Sequence, residues 1–176
     1  MMKQVAVFLV VALGVAGVSA NGRQPQLSFD GGIGVIPVSG VVAPANPDGT
    51  FPNVTRNIVR GVNPSGQNWR IADLRVSIFE DGRIRVRGRG LLLAGGNNIG
   101  FNANLSVFAT LICEPTAPFF EHSTNPAGVP LEFDGDFRID DVLGSAPGAC
   151  ASPVLLIRST SGTWLAAGIL RGDDDN

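Results

Sequence analysis

The sequence is poor in the side chains that most often carry acid–base and nucleophilic chemistry. Its 176 residues include one His, His122, no Tyr and a single Lys, Lys3. His is the commonest general acid or base in enzymes, and Lys and Tyr also serve in that role. No nucleophile-elbow motif is present, and His122 lies in a polar stretch that we interpret as a loop. We therefore expect a protein that is not an enzyme, with no catalytic residue and no cofactor.

The sequence also lacks helical periodicity, and this restricts the fold class. Its 23 Gly and 12 Pro separate short runs rich in Val, Ile, Leu and Phe. Many short runs at such spacing are typical of an all-β sandwich or barrel. Nothing between the runs could form a crossover helix, which disfavours a parallel α/β fold. We predict an all-β, antiparallel β-sandwich of immunoglobulin-like architecture with one disulfide.

Long apolar runs are missing beyond the first twenty residues. Residues 5–15 form an apolar stretch after Lys3, and Val18-Ser19-Ala20 is a small-residue cleavage site. The stretch is shorter than the roughly 20 residues that a spanning helix needs. We predict a signal peptide over 1–20, a β domain over 21–170, an acidic disordered tail over 171–176, and a secreted protein, extracellular or periplasmic. An uncleaved anchor remains the alternative; after cleavage we expect no membrane span.

Positive charge after the signal peptide comes from Arg alone. Residues 21–176 contain twelve Arg against fifteen carboxylates, a net charge of −3, and three of the acids are the terminal Asp173 to Asp175. A nearly neutral body argues against general electrostatic capture of nucleic acid or acidic membranes. A local positive patch is still compatible with this balance.

Only two cysteines occur, Cys113 and Cys150. In an exported chain they should form a disulfide, worth about 3–4 kcal/mol in the chain-entropy model. Free thiols or an intermolecular bridge are the alternative. A metal site is not expected, because two Cys and one His have no ligand-like spacing. Since Cys113 shares the face of an apolar strand, we expect the disulfide to cross the core between layers.

The stretch "IFEDGRIRVRGRG" places Arg at every second position from Arg83 to Arg89. A loop of Glu80-Asp81-Gly82 would pair Ile78 with Ile84 and leave the arginines outward, whereas a two-residue loop would mix the two faces. The same reasoning at "VPLEFDGDFRID" predicts a second hairpin with the loop Phe133-Asp134-Gly135, which pairs Leu131 with Phe137 and Val129 with Ile139. A final hairpin, "PVLLIRSTSGTWLAAGIL", is apolar on both faces, as a central strand pair would be.

The first hairpin puts Arg75, Arg85 and Arg87 on one exposed face. Arg75 lies opposite Arg87, and such a like-charge pair is unfavourable unless an anion or carboxylate relieves it. These three residues are the candidate ligand-binding site, for an anionic glycan, a phosphate group or an acidic protein. The alternative is a solvated sheet face that binds nothing.

The second hairpin has four acidic residues that could in principle form a metal or catalytic group. They do not match a calcium loop, since Gly is misplaced and the twelfth position has no carboxylate. We interpret them as turn and solvent-facing residues, so no metal is expected; the four are Asp134, Asp136, Asp140 and Asp141. A carbohydrate-active hydrolase using two carboxylates is one alternative function, and a structural envelope module that assembles through edge strands is another.

Several segments of the chain resemble uncharacterised exported bacterial proteins. The segments that carry the resemblance are "FDGGIGVIPVSG", "VRGVNPSGQNWRI", "DGRIRVRGRGLLLAGG", "GDFRIDDVL" and "CASPVLLIR". The shared layout has a signal peptide, a Trp-containing strand, an x-Asp-Gly hairpin and two Cys. The resemblance implies export, one domain and the Cys113–Cys150 pair. No activity is assigned to that group, so it implies no functional residue.

Overall fold

The computed structural model describes residues 24–172, all of them in strands, turns and loops. The signal-peptide prediction for 1–20 and the part of the predicted tail from Asp173 onward lie outside the described residues. Within 24–172 no helix is long and apolar enough to cross a membrane. The strands are β1 (Leu27–Gly34), β2 (Val38–Val42), β3 (Asn53–Arg56), β4 (Trp69–Arg70), β5 (Asp73–Ile78), β6 (Arg83–Arg89), β7 (Leu92–Leu93), β8 (Ser106–Ile112), β9 (Glu121–Ser123), β10 (Val129–Pro130), β11 (Phe137–Val142), β12 (Val154–Ser159) and β13 (Trp164–Leu170).

Nine of these strands belong to one antiparallel sheet. Its order is β10-β8-β12-β13-β1-β5-β6-β11, and β9 pairs with β8 beside β10. The all-β antiparallel prediction is confirmed. The two-layer, immunoglobulin-like sandwich is not confirmed, because the main sheet curls into a half-barrel and the other two sheets, β2-β3 and β4-β7, have two strands each. Alternation along a strand shows which side chains are buried, but it does not show whether the buried face meets a second sheet or the same sheet curled round.

The curl brings the two ends of the sheet close together along a seam. Gly144 N–H, just after β11, donates to Ser123 O at the end of β9 (2.9 Å). The carboxylate of Asp141 accepts a hydrogen bond from Asn125 N–H (2.9 Å) across the same seam. These bonds satisfy polar groups that an open sheet edge would leave exposed.

The concave face of the sheet encloses the core. Val76, Ile84 and Leu111 are each at most 3 % exposed there. At one end of the β12-β13 pair Trp164 is buried, its indole N–H donates to Asn57 O (3.0 Å), and its backbone bonds to Asn63 and Ser65. The final hairpin is a central strand pair, as its apolar pattern predicted, but Ile169 and Leu170 at the end of β13 are each 45 % exposed.

The two predicted hairpins have different outcomes. In the first, Ile78 pairs with Ile84 and Gly82 has a φ of 82°, which confirms the three-residue loop and the register. In the second, Glu132 N–H donates to Asp136 O around the expected loop, but β10 then pairs with β8 and β11 with β6. The predicted pairs Leu131–Phe137 and Val129–Ile139 are therefore wrong. The turn is local and follows from its Asp-Gly sequence, whereas the strands on either side pair with β8 and β6 instead of with each other.

The disulfide between Cys113 and Cys150 is confirmed, with Cα atoms 4.7 Å apart. Its expected path across the core is wrong. Cys113 directly follows β8, Cys150 lies in the loop before β12, and β8 and β12 are neighbours that pair Ile112 with Val154. The bond therefore closes one end of a strand pair within a single sheet.

Candidate anion-binding site

The structure brings the three predicted ligand-binding residues together on one convex surface. Arg75 lies on β5 directly opposite Arg87 on β6, and Arg85 is two residues before Arg87 on the same face. The side chains of Arg75 and Arg85 are 69 % and 61 % exposed. Each strand turns its alternate residues, such as Val76 and Val86, into the core, so burial of the apolar side fixes the arginines outward.

A fourth arginine joins this surface, and the sequence reasoning missed it. Arg138 on β11 lies directly opposite Arg87, on the side of β6 away from Arg75. Neighbouring strands are about 4.8 Å apart, so the row Arg75-Arg87-Arg138 spans about 10 Å across the sheet. We call these three residues the arginine row. Alternation along β11 turns Arg138 outward, but no local signal in the sequence indicates that β11 pairs with β6.

Carboxylates lie around the arginine row and form ion pairs with Arg75, at its end, and with Arg85, beside it. Arg75 Nε lies 3.8 Å from Asp30 Oδ1 and 3.7 Å from Asp73 Oδ2, and Arg85 Nε lies 3.8 Å from Asp140 Oδ1. All of these ion pairs are solvent-exposed, and exposed pairs contribute at most about 1 kcal/mol. They therefore limit the extent of the positive surface more than they stabilise the fold.

Arg87 and Arg138 have no such partner among residues 24–172. No hydrogen bond or ion pair of either guanidinium connects it to another described side chain, although Arg83, Arg85 and Arg89 each have a carboxylate within 4 Å. Like charges placed directly opposite in a sheet are destabilising. The centre of the arginine row is thus a concentration of uncompensated positive charge.

An aromatic ring contacts two arginines at one side of this surface. The guanidinium carbons of Arg83 and Arg85 lie 5.2 and 5.8 Å from the centroid of the Phe79 ring. Cation–π contact of this kind favours one orientation of a long side chain and lowers the entropy lost when it binds an anion. The ring contacts Arg83 and Arg85 on the turn side of the arginine row.

The four acids of the second turn have structural partners. Asp136 Oδ1 accepts a hydrogen bond from Gly90 N–H (2.9 Å), and Asp134 Oδ1 accepts one from Asp136 N–H (3.1 Å). Asp141 accepts from Asn125 and Val142, and Asp140 faces Arg85. Within residues 24–172 no group of three or more His, Cys, Asp and Glu side chains is placed to hold a metal ion.

His122 lies on strand β9, which corrects the loop expected for it. Its Nδ1 is 2.8 Å from Ser145 Oγ in an exposed position. Nearby, Phe120 N–H donates to Glu114 Oε2 (3.1 Å), and this bond lowers the pKa of Glu114, with a smaller contribution from the charge of His122. The contacts tie the 143–153 loop and the 114–120 loop to the sheet, which gives these residues a structural role.

A shallow cleft of about 270 Å³ follows the seam next to Arg138. Val107 and Ile139 line its apolar part, and Asp140 and Asp141 line its polar part. The two acids are consecutive on β11, so their side chains leave the strand on opposite faces. They do not converge on one point in the way that a pair of glycosidase carboxylates does.

Comparisons with known proteins find no match for this chain. No protein-family model matches it, and no curated protein or solved structure is similar to it at a significant level. The resemblance to uncharacterised exported bacterial proteins therefore stays a prediction.

Proposed function

We propose that this protein is an exported, non-enzymatic recognition protein that binds an anionic glycan or an acidic protein through its arginine row. The observation that carries the proposal is the position of Arg87 between Arg75 and Arg138, with no carboxylate partner within residues 24–172. An anion on the row would relieve the repulsion between three adjacent guanidinium groups. Guanidinium also binds carboxylate and sulfate groups with two parallel hydrogen bonds.

The surroundings of the row favour a compact anionic group over a long polyanion. Asp30 lies at one end of the row, beside Arg75, and Asp140 and Asp136 flank Arg138 along β11. A polymer that extended beyond about 10 Å would meet these carboxylates. This fits one sulfated or uronic acid residue of a glycan, or one acidic side-chain cluster, and it disfavours nucleic acid.

Export is part of the proposal. The Cys113–Cys150 disulfide is typical of proteins that fold in oxidising compartments. Together with the predicted signal peptide it supports a secreted protein, in the periplasm or outside the cell, and the sequence resemblance supports a bacterial source. Detection of the chain in culture medium or periplasm, with its N-terminus at Asn21, tests this part separately from binding.

The binding test is thermal melting of the purified protein with a sulfated glycan, a polyuronate, inorganic phosphate, an acidic peptide and a neutral glycan. A ligand at a hundred times its Kd adds about 2.7 kcal/mol, which raises the Tm by about 5–10 °C in a domain of this size. We expect an anionic glycan or the acidic peptide to raise the Tm, and the neutral glycan to leave it unchanged.

The variants compare a free arginine with a paired one. Arg87→Gln should abolish the Tm shift, and Arg89→Gln, which removes an arginine already bound to Asp73, should retain most of it. Raised ionic strength should weaken binding in the wild type. A panel without any shift, or a shift that both variants reduce equally, would contradict recognition by the arginine row.

A carbohydrate-active hydrolase is the alternative, and the seam cleft lined by Asp140 and Asp141 is where it would act, although the opposite orientation of the two side chains counts against it. Such an enzyme would release reducing sugar from a glycan, and Asp140→Asn would stop the release. Turnover that Asp140→Asn leaves intact, or no turnover of any glycan in the panel, would exclude this use of the cleft.

A further inference from the structure

A small pocket lies beside the two-stranded sheet of β4 and β7, and no residue of the arginine row lines it. Its volume is about 240 Å³, and its walls come from residues 67–68, just before β4, and residues 95–98, shortly after β7. Two of the lining residues are Gly95 and Gly96, and all the others carry a carboxamide; these are Gln67, Asn68, Asn97 and Asn98. We call this cavity the amide pocket.

Backbone hydrogen bonds hold the two walls of the amide pocket together. Ala94 N–H donates to Asn68 O (2.9 Å), and Trp69 pairs with Leu93 in the β4-β7 sheet. Both Trp69 and Leu93 are buried in the core, so they fix the base of each wall. The loop that carries the second wall is closed by Gly100 N–H, which donates to Leu93 O (2.9 Å). The pocket is therefore formed before a ligand enters, and binding does not require its backbone to become ordered.

The side-chain amides of the amide pocket have no hydrogen-bond partner among residues 24–172. Other amides of the molecule are used within the fold: Asn57 Nδ2 donates to Ile36 O (3.1 Å), and Asn102 Nδ2 donates to Glu132 O (2.8 Å). A carboxamide has two N–H donors and an oxygen that accepts two hydrogen bonds. The four amides of the pocket thus present donors and acceptors side by side to whatever enters it.

The lining of the amide pocket also indicates the class of ligand. It contains no charged side chain, so an ion would lose its hydration there without gaining a counter-charge. A hydroxyl group both donates and accepts, as a carboxamide does, and adjacent hydroxyl groups on a sugar ring repeat that pattern. The volume lies below the roughly 300–1,000 Å³ of pockets that take drug-sized molecules, so the space suits one ring.

We propose that the amide pocket binds one neutral sugar ring through the hydroxyl groups of that ring. The site is separate from the arginine row, and the proposal does not depend on binding there. All of its contacts are neutral hydrogen bonds, and a ligand of about twelve non-hydrogen atoms held in this way has a Kd in the millimolar range. A neutral glycan at submillimolar concentration therefore leaves the pocket almost empty and does not change the Tm.

The first test titrates isotope-labelled protein with the methyl glycosides of glucose, galactose, mannose and N-acetylglucosamine, to the tens of millimolar, and follows the amide resonances by NMR. We expect at least one glycoside to shift the resonances of residues 67–68 and 95–98. Tetrahydropyran, which is the same ring without hydroxyl groups, should shift none of them. Asn68→Ala/Asn98→Ala removes one amide from each wall and should raise the Kd by about tenfold or more. The matched control is Asn53→Ala, which removes an exposed amide from β3 and should leave the Kd unchanged.

The second test fills the pocket and keeps its amides. A Cβ at Gly95 would lie 3.8 Å from Asn68 Nδ2, at ordinary contact distance, so Gly95→Leu places its side chain in the pocket and should abolish the shifts. Gly40→Leu adds the same bulk on β2, where a Cβ meets nothing closer than Thr55 at 3.9 Å, and should bind the glycoside like the wild type. The proposal is overturned by a panel without any shift, which would mean that the amides bind water alone. Shifts confined to other residues, or a Kd that neither Gly95→Leu nor the double variant raises, would overturn it too.

Discussion

The arginine face and the β2–β3 hairpin, residues 38–56, which we call the ribbon, are two exposed strand surfaces built in opposite ways. On the arginine face, every outward charge of β5 and β6 alternates with an inward residue such as Val76 or Val86 that is part of the core. On the ribbon both sides are exposed and mostly apolar, as Val41 and Val54 show. A charged outward face is the normal state of a half-buried sheet, whereas an uncovered apolar hairpin is not. The arginine face therefore needs its uncompensated centre, Arg87, to indicate a ligand, while the ribbon is unusual by its composition alone.

The largest expected effect comes from replacing a buried Phe of the main sheet with Ala and comparing it with the same replacement of an exposed Phe on the ribbon. Phe137 on β11 is 5 % exposed and packs against the backbone of Gly88, where an added Cβ would lie 2.0 Å from its ring. Phe137→Ala should lower the free energy of unfolding by about 3–5 kcal/mol. Phe51→Ala on the ribbon should change it by less than about 1 kcal/mol in dilute protein. Chemical denaturation at low concentration gives both values, and similar losses would mean that the ribbon is packed like the core.

Removal of the disulfide should rank second. Cys113→Ser/Cys150→Ser opens a closed loop with a sequence separation of 37 residues, and we expect a loss of about 3–4 kcal/mol. Because the bond joins the ends of β8 and β12 in the main sheet, the loss should appear in unfolding of the body. Chemical denaturation measures it, and an unchanged free energy of unfolding would contradict a stabilising role of the bond.

A small stabilisation is expected when the centre of the arginine row is neutralised. Arg87→Gln removes repulsion from Arg75 and Arg138 and should raise the free energy of unfolding by about 0.2–1 kcal/mol at low ionic strength. Arg85→Gln removes an ion pair with Asp140 and should be neutral or slightly destabilising. Melting curves without ligand at two salt concentrations measure the difference. Equal effects of the two variants would show that Arg87 has a partner in solution.

The smallest effect concerns pH. The hydrogen bond from Phe120 N–H lowers the pKa of Glu114 below its ordinary value of 4.5. A lowered folded-state pKa gives stability that is present above the unfolded pKa and lost as pH falls through the folded pKa. The Tm advantage of the wild type over Glu114→Gln should therefore be constant near neutral pH and decline below about pH 4.5. An advantage that grows on acidification would contradict this bond.

The sequence predicted what depends on near neighbours along the chain. Alternation and the Glu80-Asp81-Gly82 turn were enough to place Ile78 opposite Ile84 and to turn Arg75 and Arg87 outward. They could not reveal that Arg138 lies beside Arg87, because β11 pairs with β6 across an intervening stretch of about fifty residues, and pairing at that distance is decided by the packing of the whole sheet. For the same reason the predicted ladder of Leu131 with Phe137 failed although its turn is present.

The ribbon was missed for a different reason. Val38 to Val42 read as an ordinary apolar strand, and an apolar strand in a sequence is expected to be buried. Nothing in its pattern distinguishes a strand covered by its own chain from one that remains uncovered. Only the arrangement of the other strands shows that no layer of the described chain lies over Val41 and Val54.

The path of β1 gives the molecule a polarity. At one end of this strand Arg171 N–H donates to Ser28 O (2.9 Å), so the two ends of the described chain leave from the same point, and at the other end Gly34 leads through Val35 into the ribbon. The eight residues of β1 separate these points by about 25 Å. A tether joined at residue 24 or at residue 172 would thus hold the described part of the chain by one pole and present the ribbon at the other, which makes these two positions equivalent sites for immobilisation or display.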